Sequence, residues 1–73
     1  MNISNEIKSL LELKGVKKTE LQKFLGLKHQ QALTTKFSRN SWSAAELIRV
    51  INFLGGELIV KLDDREIVLK DES

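Results

Sequence analysis

Between Gly26 and Asn40 the chain reads GLKHQQALTTKFSRN, a run of hydrogen-bonding and basic side chains with no carboxylate in it. Gln30 and Gln31 bring amides, Thr34, Thr35 and Ser38 bring hydroxyls, and Lys28, Lys36 and Arg39 bring positive charge. Only Leu33 and Phe37, with the small Ala32, are evident packing residues. A face that meets only water has no reason to avoid acids, whereas a face that meets a polyanion does. The chemistry on offer is recognition. An amide side chain can hold adenine N6 and N7 with two hydrogen bonds, and threonine can touch a base edge or a thymine methyl.

Reactive chemistry is poorly supplied. The chain has one histidine, His29, and no cysteine, so neither a thiolate nucleophile nor a Cys/His metal site is available. No glycine-rich phosphate loop is present. Asp63-Asp64 falls at the tip of an expected hairpin, where aspartate serves turn geometry. No catalytic residue, metal, cofactor or small-molecule ligand is expected, and the chain does not read as an enzyme.

The elements that position these groups follow from apolar spacing. Ile3, Ile7, Leu10 and Leu11 predict a helix over 3–14, stopped by Gly15. Leu21, Phe24 and Leu25 predict a second over 18–25, ended by a left-handed Gly26. A short turn then leads to a third over 29–38. Two short helices with glycine at the corner have the proportions of a helix-turn-helix. Ser43-Ala-Ala-Glu46 is a capping box, opening a fourth helix over 44–54, and Trp42 ahead of the cap with Leu47 at the fourth helical position reads as a hydrophobic staple. Beyond Gly55-Gly56, ELIVKL-DD-REIVLK predicts strands over 57–62 and 65–70 around a two-residue turn. Pairing across that turn sets Lys61 opposite Glu66 and Ile59 opposite Val68, an arrangement that opposed like charges would destabilise. Asp71 to Ser73 are expected to fray. The fold class is therefore mostly α with a small β element, in a single domain over 1–73.

With 73 residues, the chain buries only about 60% of its unfolded surface and gains from a subunit interface. No apolar run approaches the roughly 20 residues that span a bilayer. Glu6 and Glu12 within the first apolar pattern argue against a signal peptide, and a cytoplasmic location is expected. Charge is uneven: residues 1–55 carry nine Lys/Arg against four Glu, and residues 56–73 carry three against six Asp/Glu. The net is +5 in the first part and −3 in the second, which points the first part toward an anion.

The LxxxLG of Leu21 to Gly26, the QQxLTxKF of Gln30 to Phe37 and the SRNSWS run into the fourth helix carry a resemblance. Over Leu10 to Leu58 the chain resembles the lambda-repressor-like, Xre-type helix-turn-helix domains, in particular small bacterial forms that end in a β-hairpin. Gln22 stands where that family has a small residue, Lys17 where a Thr or Ser cap is common, and the turn is one residue longer. The resemblance implies a four-helix domain with a C-terminal hairpin that binds double-stranded DNA as a transcriptional regulator. Its third helix would enter the major groove, which makes Gln30, Gln31 and Thr35 the expected base contacts.

Phosphate contacts are expected from Lys17, Lys18, Lys28, His29, Thr34, Ser38, Arg39 and Asn40. Lysines at helix starts oppose the macrodipole by roughly 0.3–1 kcal/mol each, and a bound phosphate reverses that sign. A two-stranded sheet is marginal alone and its edges invite pairing. Homodimerisation through the hairpin, with Ile59, Val68 and Phe53, is the expected partner contact. The alternative is a protein-interaction module, adaptor or antitoxin-like, that uses the hairpin edge.

Overall fold

A computed structural model describes residues 1–71. It is mostly helical: α1 is Ile3–Lys14, α2 Lys18–Phe24, α3 Gln30–Arg39 and α4 Ala44–Phe53, followed by strands β1 (Leu58–Leu62) and β2 (Arg65–Leu69). The chain divides into two compact units, Met1–Trp42 and Ser43 onward.

In the first unit, α3 contacts both α1 and α2. Buried Ser4, Ile7 and Leu11 form one stripe of α1, and Leu21, Leu33, Phe37 and Trp42 supply the remaining buried side chains. Asn2, rather than Ser4, caps α1 by accepting from the Asn5 N–H. Ser4 bridges instead. Its N–H, one of the orphan donors of the first turn, gives 2.8 Å to Asn40 Oδ1, and its Oγ accepts from Trp42 Nε1 at 3.0 Å. The Trp42 ring stands edge-on to Phe37, with centroids 5.2 Å apart and planes at 74°. These links tie the start of α1 to the end of α3.

All four helices close through a left-handed residue: Gly15, Gly26, Asn40 and Gly55. Asn40 is the exception in type and has a reason. At φ 53° it adopts the conformation that ends α3, and it keeps a side chain that reaches Ser4, which glycine would lack. Expected and observed ends differ by a residue at three helices. Leu25 caps α2 with ψ −6°, His29 is extended before α3 with ψ 141°, and Leu54 caps α4.

In the second unit the capping box forms as expected. Ser43 Oγ accepts from the Glu46 N–H at 3.1 Å, and Glu46 Oε1 from the Ser43 N–H at 3.0 Å. The helix α4 contacts β1. The strands pair antiparallel as Leu58↔Leu69, Ile59↔Val68, Val60↔Ile67, Lys61↔Glu66 and Leu62↔Arg65, the register read from charge matching. Asp63 takes φ 54° at the turn without glycine. Each strand is one residue shorter than expected at the end away from the turn, so Glu57 and Lys70 lie outside the sheet. Asp71, expected to fray, pairs with Arg49 at 3.5 Å; residues 72 and 73 of that expectation lie outside the described residues.

Candidate nucleic-acid interface

The position of α3 depends on how α2 ends. The Leu27 N–H donates to the Gln22 carbonyl at 3.1 Å and the Gly26 N–H to the Lys23 carbonyl at 3.1 Å, the two bonds of a Schellman motif. Gly26 permits this with φ 72°. The Gln22 side chain then closes a second bond, from Nε2 to the Leu27 carbonyl at 3.2 Å. Gln22 therefore holds Leu27 by backbone and side chain alike. A small residue at this position could not brace the longer turn.

With Leu33 and Phe37 buried, Gln30 and Gln31 stand exposed at the start of α3, and Thr35 is half-buried. Lys28 and His29 are exposed in the turn, and Ser38 and Arg39 at the far end. No acidic residue occupies the first turn of α3, and His29 makes no side-chain capping bond.

Two of the expected phosphate donors are already engaged. Thr34 Oγ1 donates to the Gln30 carbonyl at 3.2 Å along its own helix. The Asn40 oxygen is held by Ser4, which leaves its NH₂ for an external acceptor. Lys17 is the extended residue before α2, exposed and without a capping bond. Since α2 is only 7 residues long, its dipole is a weak basis for holding an anion.

A cleft of about 230 Å³ lies within the first unit. Leu33 and Phe37 floor it, Lys8 comes from α1, Lys18, Thr19 and Gln22 from α2, and Gln30, Thr34 and Ser38 from α3. The Lys18 ammonium lies 5.1 Å and the Lys8 ammonium 5.5 Å from the centroid of the Phe37 ring. Each contact is a cation–π interaction worth about 0.5–1 kcal/mol at an exposed site. Both lysines line the same cleft, where a negative group would be attracted to each ammonium. Sequence reading missed Lys8. Glu12, four residues on, suggests an ordinary helix-surface pair, and only the tertiary packing of α1 on α3 reveals Phe37 as its neighbour.

Lys36 belongs to a different place. Its ammonium sits 5.6 Å from the Trp42 ring and 3.5 Å from the Ser41 carbonyl. Of the expected dimer residues, Ile59, Val68 and Phe53 are all exposed in the second unit. Leu62 and Ile67 are more exposed still, at 61% and 49%. Among the described residues no group of His, Cys, Asp or Glu could hold a metal ion, and no helix is long and apolar enough to cross a membrane. Compared with models of known protein families, with curated proteins and with solved structures, the chain matches none.

Proposed function

We propose that the chain is a sequence-specific double-stranded DNA-binding regulator, with α2 and α3 as a helix-turn-helix and α3 in the major groove. The observation that carries this reading is the exposed, acid-free start of α3, where Gln31 is exposed and Gln30 lines a cleft together with Lys8 and Lys18. Gln30 and Gln31 read base edges, with each good bidentate pair worth about 1–3 kcal/mol against a wrong base. Thr35, half-buried, offers its methyl or hydroxyl only at close approach. Lys18, Lys28, Ser38 and Arg39 address phosphates, and Lys8 joins them. Phosphate contacts orient the protein, and base contacts select the site. As a homodimer it would place two recognition helices in successive major grooves about 34 Å apart, and would act by occupying its operator.

The test is binding to mixed duplex fragments at two salt concentrations, followed by selection from random duplex DNA. Binding that weakens with salt and a recovered palindrome support the reading. Absence of binding at low salt overturns it. The exposed apolar residues of the hairpin favour one other reading, a protein-interaction module with the same architecture. That reading predicts a co-purifying protein and no retention on DNA.

A further inference from the structure

The outer edge of β2 is matched to a second copy of itself. In a hairpin with a two-residue turn, the flanking residues form a hydrogen-bonded pair, and such pairs alternate with non-bonded ones along the ladder. Starting from Leu62↔Arg65, Arg65, Ile67 and Leu69 direct their N–H and C=O groups to β1. Glu66, Val68 and Lys70 direct theirs to the opposite edge. The sheet has two strands, so this edge has no strand beside it among the described residues. Residues Arg65 to Val68 are all exposed, whereas Leu58 and Val60 of β1 are half-buried and β1 is the strand that contacts α4.

Two copies can meet antiparallel along this edge only if a residue sits on the two-fold axis, since other registers would set outward groups against inward ones. The candidate registers differ sharply in what they oppose. With the axis on Ile67, Glu66 faces Val68 and Arg65 faces Leu69. With it on Leu69, Lys70 faces Val68 and Asp71 faces Ile67. With it on Glu66, Asp64 faces Val68. Only an axis on Val68 sorts the pairs from Arg65 to Asp71 by type. Glu66 then meets the partner's Lys70 and Ile67 meets the partner's Leu69, while Arg65 comes opposite the partner's Asp71, a carboxylate that already pairs with Arg49 in its own chain.

We infer that two chains join through β2 about Val68 into a four-stranded antiparallel sheet. One face carries Ile59 and Val68 of both chains in a single apolar row. Beside that row runs a second one, in which Lys61, Glu66, the partner's Lys70 and the partner's Glu57 alternate in sign. Its first link already exists, with Lys61 Nζ 3.7 Å from Glu66 Oε1. The other face carries Val60, Ile67, the partner's Leu69 and the partner's Leu58. This arrangement specifies the homodimer of the proposed function, and it requires no contact with DNA.

Sedimentation equilibrium of the full chain without DNA tests it. The wild type forms a concentration-dependent dimer. Val68→Pro abolishes the dimer but keeps the hairpin, because proline is tolerated where the N–H faces away from the partner strand. Glu66→Lys and Lys70→Glu each weaken self-association about tenfold, since both symmetry-related pairs become like-charged. An equal mixture of these two variants associates more tightly than either alone, because both pairs across the two-fold axis are again opposite in sign. A wild type that stays monomeric, a Val68→Pro variant that dimerises normally, or a mixture that associates no better than its components overturns the inference. DNA binding is measured separately. A dimer of this behaviour without duplex binding sinks only the DNA reading, and duplex binding by a monomer sinks only this one.

Discussion

The two units treat apolar surface in opposite ways. Residues 1–42 bury Ile7, Leu11, Leu21, Leu33, Phe37 and Trp42 and carry eight Lys/Arg against three Glu. Among the described residues from Ser43 onward, only Val50 and Leu54 are buried hydrophobics, while Phe53, Ile59, Leu62, Ile67 and Val68 are exposed. That part carries four Lys/Arg against seven Asp/Glu. A unit that hides its apolar groups and displays cations is settled toward water and disposed toward an anion. A unit with apolar residues on both faces of a two-stranded sheet is incomplete alone, because such a sheet is marginal without further burial. Within one short chain, the surplus of cations and the exposed apolar side chains fall in different units.

The largest expected effect breaks the first unit. Leu21→Ala should cost about 2–5 kcal/mol, as for other large-to-small changes at fully buried sites, with loss of DNA retention. Leu62→Ala, at an exposed site, should stay within about 0.5 kcal/mol. Denaturant unfolding of both variants checks the contrast, and equal losses would break it. Next comes Ser4→Ala, which leaves the Trp42 N–H buried without an acceptor and should cost about 1–3 kcal/mol. A smaller loss, about 1 kcal/mol, is expected for Asn40→Gly, which keeps the left-handed backbone and removes only the bond to Ser4.

A change of charge sharpens the comparison on the binding side. Lys8→Gln with Lys18→Gln should cost at most about 1–2 kcal/mol of stability, the two cation–π contacts with Phe37. The slope of log affinity against log salt should fall by about 1.8 per bound subunit, since each phosphate that a lysine neutralises adds about 0.9 to it. Titrations on duplex DNA at several salt concentrations read this directly, and an unchanged slope removes both lysines from the interface. Smallest of all is Lys61→Ala. Its ion pair with Glu66 is open to water, with side chains 76% and 57% exposed, so hairpin stability should change by less than about 0.5 kcal/mol.

Local features were legible in the sequence. The capping box, the left-handed Gly26 and the hairpin register depend on residues within a few positions of one another, or on strands linked by two residues. What sequence reading missed acts over distance. Ser4 and Asn40 are 36 positions apart and Ser4 and Trp42 are 38 apart, so periodicity could not pair them. Asn40 looked like a surface donor because its left-handed backbone and its link to Ser4 appear only in the fold. Lys8 lay on the solvent side of an ordinary amphipathic pattern, and its place over Phe37 required α1 and α3 to be packed. The roles of Gln30, Gln31 and the cleft lysines rest on exposure and chemistry, which a complex with duplex DNA would test.

Trp42 has one more consequence. It is the only tryptophan, and the chain has no tyrosine, so ultraviolet emission comes almost entirely from one indole. That indole is buried, tethered to Ser4 and flanked by Phe37 and the Lys36 ammonium. Its spectrum therefore tracks the opening of residues 1–42 and little else, giving an optical signal for one half of the chain with no label attached.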